Sequence, residues 1–278
     1  MIIGLLHPGN MGSAVGARLV AAGHTVLWHP VHRGSDTHRR AAAAGLMPCE
    51  DLAALLHRAE TVLSICPSSA AIEVAEAVSE HNYHGVYVDA NAISPQQMEH
   101  IAALLSGAGA AVVDAAIAGP PPRDGRSAKF FLSGPDEARG RFRDLLVDDA
   151  ALMAEELGET PGTASALKMA LISYQRPARL LAALSYGLAD HYGVTEALIA
   201  EAERTDIAIL SDRSALSGVA ARAWRWLPEL HEVAISQDSA GLPTGFTDTA
   251  TKLYELLAEY KDQWDIAPEL VIERMIQR

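Results

Sequence analysis

Apolar and polar positions alternate in blocks along roughly the first 160 residues of the chain. Short apolar runs bounded by glycine, proline or polar residues predict strands, and the longer stretches between them predict helices. This alternation is typical of a doubly wound parallel sheet with helices on both faces, an α/β fold. The predicted strands are residues 2–6, 25–28, 61–65, 86–89, 111–115 and 129–132, and helices are predicted from residue 10 and over 70–78 and 95–105.

The pattern changes near residue 164, where strand signals fade and long Ala- and Leu-rich stretches begin. Stretches of this length and composition indicate helices. We therefore expect an α/β domain over residues 1–162 and an all-α domain over residues 163–278, joined directly by a long helix. The helices predicted for the second domain are residues 164–192, 195–210, 214–226, 247–260 and 265–277.

The first predicted strand leads into the turn HPGNMG and then into a helix rich in small residues. In such a unit, Gly9 lets the backbone approach a pyrophosphate, and Gly12 lets the helix pack close to the strand. The N–H groups from Asn10 and Met11 onward face the phosphates. His7 occupies the first glycine position of the G-x-G-x-x-G pattern. The unit predicts a Rossmann-type fold that binds a nicotinamide or flavin dinucleotide.

The loop HPVHRGS follows the second predicted strand, where an acidic residue would favour NAD by bonding the adenine ribose. The first carboxylate here is Asp36, whereas Arg33, Ser35 and Thr37 suit a ribose 2′-phosphate, so we expect NADP(H) to be preferred over NAD(H). Arg40 is expected on a solvated helix face. The loop histidines lack the tight spacing of metal ligands, and no metal site is expected from His29, His32 and His38.

Several segments together resemble the β-hydroxyacid dehydrogenases, a group that includes 6-phosphogluconate dehydrogenase and is related to the imine reductases. The resemblance covers most of the first 190 residues, and the tail AGLPTGFTDTATKLYELLA is similar to a branch with a C-terminal helical domain of poorly defined function. It implies an NAD(P)-dependent oxidoreductase. The segments are HPGNMG, ETVLSICPSSAAIEVAEAV, VYVDANAISPQQ, VVDAAIAGPPP, FFLSGP and GTASALKMA.

The resemblance also implies roles for three residues. Lys168 matches the lysine that acts as acid/base on the carbonyl or hydroxyl oxygen, and a positioned ammonium suits that chemistry. Pro67 and Asn91 match positions near the nicotinamide half of the cofactor. The alternative for these two is structural: Pro67 ends a strand and Asn91 caps a turn.

The family pattern breaks in the loop after the strand at residues 111–115. The family commonly has Ser-Gly-Gly there, which holds a substrate carboxylate, whereas this chain has Ala118, Gly119 and Pro120. The hydroxyl and one N–H donor are therefore missing, and the carboxylate site is not copied whole. Arg123 is either a substitute for it or a surface charge.

The pattern breaks again after Lys168, where the family has asparagine one turn later and this chain has leucine and isoleucine. Gln175 shares the helix face of Lys168 and is a candidate to supply the missing amide. Pro177 predicts a kink, which either aims Tyr174 or Gln175 toward the substrate or has no role in binding.

The formal net charge of −13 disfavours nucleic acid and anionic membranes as partners. No apolar run is long enough for a membrane span and no cleavable signal is recognised, so we expect a cytoplasmic protein. Two cysteines, Cys49 and Cys66, are too few for a disulfide framework or a metal site, and Cys66 is expected to be a buried structural thiol.

The resemblance implies a homodimer, and Trp224, Trp226 and Leu227 are either interface or monomer core. The predicted function is hydride transfer between NADP(H) and a carbonyl or hydroxyl carbon of a small molecule. Reduction of an imine is the first alternative. The second is a dinucleotide-binding sensor without turnover, which His7 in the glycine turn suggests.

Overall fold

A computed structural model describes residues 1–146 and 149–276 and divides the chain into two compact units, Met1–Met169 and Ala170–Arg278. The strands are β1 (Ile2–Leu6), β2 (Thr25–Trp28), β3 (Met47–Pro48), β4 (Thr61–Ser64), β5 (Val86–Asp89), β6 (Ala111–Ala118), β7 (Ala128–Ser133) and β8 (Leu152–Gly158). The helices are α1 (Asn10–Ala21), α2 (Ser35–Ala43), α3 (Leu52–Arg58), α4 (Ala71–Ser79), α5 (Pro95–Gly107), α6 (Asp136–Asp144), α7 (Thr163–Tyr192), α8 (Thr195–Arg204), α9 (Ala208–Ser211), α10 (Ala215–Ser239), α11 (Gly245–Leu257) and α12 (Pro268–Ile276).

The strands of the first unit form one sheet in the order β3-β2-β1-β4-β5-β6-β7-β8. The chain builds outward from β1 in one direction and from β4 in the other, so the strand order reverses between β1 and β4. In doubly wound sheets, ligands bind beyond the carboxyl ends of the strands at such a reversal. The predicted α/β fold of Rossmann type is confirmed, as is the all-helical C-terminal region.

The central strands are buried on both faces, which explains their nearly continuous apolar sequence. Successive side chains of β5 enter different cores: Val86 and Val88 pack on one face of the sheet and Tyr87 on the other. Helix α5 begins where Ser94 accepts a hydrogen bond from the Gln97 N–H, with Pro95 in the first turn.

The six predicted strands are present, whereas the direction of β7 and the strands β3 and β8 were not predicted. β6 and β7 pair antiparallel, because the loop of residues 119–127 is too short for the crossover that parallel strands need. β8 lies at the sheet edge, and its exposed Met153, Glu155 and Glu156 hide the strand signal. The predicted helix over residues 195–210 is broken between α8 and α9.

The helical unit has its own core, formed around three aromatic residues of α7, α10 and α11. Tyr186, Trp226 and Tyr254 are buried, and the rings of Trp226 and Tyr254 meet edge to face with centroids 5.4 Å apart. Trp226 is therefore monomer core. Helix α7 continues through Pro177. Within the described residues, no helix is long and apolar enough to cross a membrane. The predicted domain limits, 1–162 and 163–278, stay a prediction.

A buried carboxylate joins β6, β7 and the start of α7. Asp114 is 1% exposed and accepts hydrogen bonds from the N–H groups of Gly162 and Ser165 and from the hydroxyls of Ser133 and Ser165. Burial raises the pKa of Asp114, while these donors favour its ionised form. The Ser133 hydroxyl also accepts from the Ala164 N–H, so two side chains bind the first turn of α7.

We expect Asp114→Ala to lower the free energy of unfolding by about 3–5 kcal/mol, because it leaves several buried donors without their acceptor. Chemical denaturation monitored by circular dichroism would measure this. The control is Asp144→Ala, which removes an exposed carboxylate paired with Arg143 and should change stability by less than about 0.5 kcal/mol. Equal effects of the two variants would show that Asp114 does not hold the start of α7.

Candidate dinucleotide and catalytic site

The turn after β1 keeps the geometry of a glycine-rich turn although its first position is histidine. His7 has a φ of +67°, in the left-handed region that glycine usually occupies. A Cβ on Gly12 would lie 2.6 Å from the His7 carbonyl oxygen, so only glycine lets α1 approach the turn this closely. At Gly9 the corresponding position has no atom within 4 Å, which leaves the backbone open to a ligand. Asn10 and Met11 begin α1 behind it.

Arg33 and His7 line a cavity of about 480 Å³ that also contacts His29, His32 and Ala70. Two buried polar atoms in it, His7 Nδ1 and Arg33 Nε, have no hydrogen-bond partner among the described residues. Burial, followed by the nearby charge of Arg33, lowers the pKa of His7 to about 4, so the imidazole is neutral at pH 7. The cavity is therefore lined by the positive charge of Arg33 and the carboxylate of Glu73, and among the described residues the Arg33 Nε–H donor has no partner.

Arg40 of α2 contacts the turn that follows β1. Its Nε donates to the Pro8 carbonyl at 3.4 Å and its Nη2 donates to Thr37 Oγ1 at 3.0 Å. Arg40, which was expected on a solvated helix face, is partly exposed and also contacts the turn, because a long guanidinium can reach back across the helix start. Ser35 is the exposed first residue of α2. Asp36, the first carboxylate after β2, is paired with Arg39.

Asn91 connects the carboxyl ends of β4 and β5. Its side-chain oxygen accepts from the Cys66 N–H at 2.6 Å, and its amide nitrogen donates to Ser64 Oγ and Asp89 Oδ2 at 3.1 and 2.9 Å. Burial raises the pKa of Asp89 to about 7. These bonds hold the segment before Pro67, which begins a short 3-10 turn after β4. Asn91 thus has a structural role whether or not it contacts a ligand.

The Cys66 thiol is expected to be unreactive. Burial, with a smaller contribution from Asp89, raises the pKa of its thiol to about 12, so it stays protonated at neutral pH. Within the described residues, no group of three or more His, Cys, Asp or Glu side chains is placed to hold a metal ion.

Lys168 lies at the carboxyl end of β6. Its Nζ donates to the Ile117 carbonyl oxygen at 2.7 Å, which orients one of the three N–H donors of the ammonium. Ser165, one turn earlier on α7, is held by Asp114, so the same buried carboxylate that fixes the helix start also limits where Lys168 can lie.

The loop after β6 begins next to this lysine contact. Ala118 is the last residue of β6. Gly119 has a φ of +101°, and a Cβ added to it would lie 2.9 Å from the Ser127 carbonyl oxygen. Pro120 is exposed. The Arg123 side chain is exposed as well, farther along the loop. Residues 119–127 therefore connect β6 and β7 as a hairpin loop, which begins two residues after the carbonyl that Lys168 contacts.

The two remaining candidates, Tyr174 and Gln175, belong to the helical unit and are exposed. Tyr174 lines a depression of about 590 Å³ with Leu181 and residues 206–210. Their role toward a substrate stays a prediction.

The sheet brings the candidates of the first unit to one edge, because the carboxyl ends of parallel neighbouring strands lie side by side. Sequence reasoning missed Asp114 and its bonds to α7, although a lone carboxylate within the apolar segment VVDAAIA was a usable signal. In spatial order, the edge carries Arg33 after β2, His7 to Gly12 after β1, Pro67 after β4, Asn91 after β5, and Ala118 with Lys168 at β6.

The family model of the NAD binding domain of 6-phosphogluconate dehydrogenase matches residues 2–158, more than half of the 278 residues. A second model, described as a domain of unknown function, matches residues 189–257. No curated protein matches the chain significantly.

Solved structures share the fold over nearly the whole chain. Mycobacterium tuberculosis 3-hydroxyisobutyrate dehydrogenase is 18% identical with a TM-score of 0.73, and 99% of each chain is covered. A Streptomyces aurantiacus imine reductase is 19% identical with a TM-score of 0.65 over 100% of both chains. A reductive aminase from Aspergillus terreus in complex with NADPH and ethyl levulinate is 17% identical with a TM-score of 0.62 over 98% of both.

At these identities the structures establish the fold, and the family model establishes the family. The chain belongs to the family that carries the NAD binding domain of 6-phosphogluconate dehydrogenase, a family of NAD(P)-dependent oxidoreductases.

Proposed function

We propose that this protein is an NADP(H)-dependent oxidoreductase that moves hydride between nicotinamide and a carbonyl or hydroxyl carbon of a small molecule. The observation that carries the proposal is the row of groups along one sheet edge. A glycine turn with an arginine beside it lies at one end, and Lys168 at the end of β6 lies at the other. A dinucleotide is an extended ligand, and the row spans five neighbouring strands in the order that such a ligand requires.

The residues present fit the cofactor. Gly9 leaves the backbone open, and the 12-residue helix α1 begins directly behind it with N–H groups suited to phosphate. The buried Arg33 Nε, which has no partner in the described part of the chain, supports binding of the 2′-phosphate that distinguishes NADP(H) from NAD(H). Asp36 is paired with Arg39, which also favours NADP(H) over NAD(H). NADPH in the reductive aminase structure is a further argument. When bound, the nicotinamide supplies the hydride.

Lys168 would act on the substrate oxygen. Charge develops on that oxygen as a carbonyl is reduced, and a positioned ammonium stabilises it and then donates a proton. The bond to the Ile117 carbonyl keeps Nζ at the carboxyl end of β6. Ala118 and Pro120 lack the polar groups that a carboxylate site would use, so we propose a substrate that is not a simple hydroxy acid.

Imine reduction remains the first alternative, because it needs the same hydride geometry and an imine reductase shares the fold. Lys168 favours a carbonyl substrate. The sensor alternative rested on His7 in the glycine turn. Because the left-handed backbone at His7 preserves the turn, it argues against a disabled nucleotide site. A cytoplasmic location stays a prediction.

We expect Arg33→Ala to weaken NADPH binding about tenfold to a hundredfold, because charged hydrogen bonds contribute about 1.5–3 kcal/mol. NADH affinity should be unchanged. Nicotinamide fluorescence titration of the wild type and the variant with both cofactors would measure this. The control is Arg39→Ala, an exposed arginine of α2 that is paired with Asp36. Equal losses for NADPH and NADH would refute a 2′-phosphate contact, and absence of binding to either cofactor would refute the proposed function.

We expect Lys168→Ala to lower turnover by about 10²–10⁴-fold while NADPH affinity stays the same, because only proton transfer and charge stabilisation are lost. The measurement is NADPH oxidation across a panel of ketones, aldehydes and cyclic imines. Lys252→Ala, which removes an exposed lysine of α11, is the control. Turnover of imines alone would favour the imine alternative, and NADPH binding without turnover on any compound would favour the sensor.

We also propose a homodimer in which α7 contributes to the interface. One face of α7 is in the core of its own unit, through Leu180, Ala183 and Tyr186. Another face carries large apolar side chains that are exposed at helical spacing, and such a surface favours association with a second copy. These side chains are Leu181, Leu184, Leu188 and Tyr192.

We expect wild-type protein to have the mass of two chains in light scattering and the Leu181→Glu, Leu188→Glu double variant to have the mass of one, because two charges would oppose burial of this face. Leu242→Glu, at an exposed leucine outside α7, should leave the dimer intact. A wild-type mass of one chain would contradict the dimer.

A further inference from the structure

Four arginines lie together on α7 and α10 of the helical unit. They are Arg176 and Arg179 on α7, and Arg222 and Arg225 on α10. The chain as a whole carries 35 acidic and 22 basic residues, so a concentration of positive charge is unexpected by composition. Like charges repel, and a fold keeps them together only where other interactions or a bound anion compensate.

Aromatic rings hold the guanidinium groups in place. The Arg176 and Arg179 groups lie 4.3 and 5.9 Å from the ring centroid of Trp226, which is itself fixed in the core. The Arg222 group lies 4.5 Å from the centroid of Trp264. Stacking leaves the edge of a guanidinium, where the N–H donors are, available for hydrogen bonds.

One ion pair is described for the four arginines. Arg176 pairs with Glu229 at 2.6 Å. Arg222 donates to the Gly218 carbonyl. Arg179 Nε is buried without a partner in the part of the chain that the structure describes.

The charges around Arg222 are also mostly positive. Burial lowers its pKa, and the charges of Arg225, Arg179 and Arg176 lower it further. Nearby charges that act on this guanidinium are thus positive, and an anion placed among them would relieve the repulsion and fill the donors.

We propose that Arg179, Arg222 and Arg225 form an oxyanion-binding site on the helical unit, which takes the phosphate or carboxylate group of a small molecule. Planar guanidinium groups match both oxyanions, and three of them suit a ligand with two or more negative charges. Arg176, neutralised by Glu229, supports the site through Trp226 rather than binding the anion. The site consists of residues of the helical unit alone, so it does not rest on the proposed function.

The test is isothermal titration of the full chain with inorganic phosphate and, in a second arm, with succinate, each at an ionic strength matched with sodium chloride. We expect saturable binding of at least one oxyanion. Arg225→Ala should weaken it about tenfold or more, as expected for loss of a charged hydrogen bond. Arg225 is exposed, so this variant should fold normally. Arg179→Ala should have a similar effect. The arm that binds more tightly identifies the preferred oxyanion.

Two controls separate this site from others. Arg33→Ala removes the arginine proposed to bind phosphate at the dinucleotide site. Oxyanion binding at the arginines of the helical unit should therefore persist in this variant. Arg204→Ala, which removes an exposed arginine paired with Glu201, should also keep it. The proposal is overturned if neither oxyanion binds, if Arg33→Ala abolishes binding, or if Arg225→Ala and Arg179→Ala both bind as the wild type does.

Discussion

The buried carboxylate of Asp114 is the constraint on which the Lys168 end of the candidate site depends. It lies on a central strand, and its donors are the first turn of α7 and a serine of the antiparallel strand β7. Burying a charge is costly unless its hydrogen bonds are made, so this group tolerates one arrangement of those three elements. Lys168 is three residues beyond Ser165, and its position follows from that arrangement together with the Ile117 carbonyl.

The other end of the site is fixed by backbone geometry instead of charge. The close approach of Gly12 to the His7 carbonyl sets the angle at which α1 leaves the sheet, and the N–H groups of the helix follow that angle. Histidine at a left-handed position costs about 1–2 kcal/mol relative to glycine. Its neutral side chain, adjacent to Arg33, occupies space that glycine would leave empty and makes part of the cavity wall.

The sequence was sufficient to predict most of the sheet and the glycine turn, because apolar runs and glycine spacing are local signals. A basic loop and a lone lysine in an apolar helix likewise singled out Arg33 and Lys168, whose roles stay predictions. Contacts between distant segments had no such signal. Arg40 reaches Pro8 across 32 residues, and the burial of Trp226 depends on Tyr254. β8 escaped notice because an edge strand needs only one apolar face. The arginine cluster likewise exists only after α7 and α10 pack together.

An acidic chain that binds an anionic cofactor must overcome its own long-range field. Screening confines that field to about 8–10 Å at physiological salt, so local groups decide binding at short distance. Arg33 illustrates one solution: burial lowers its pKa, and an anionic ligand would compensate its desolvation. The arginines around Trp226 illustrate a second solution, in which contact with the aromatic ring compensates part of the cost of desolvating the guanidinium groups. In both places a guanidinium nitrogen, Arg33 Nε or Arg179 Nε, is buried without a partner among residues 1–146 and 149–276, and such preorganisation reduces the entropy cost of binding. The acidic remainder of the surface then disfavours nonspecific polyanions, so positive charge acts only where the fold concentrates it.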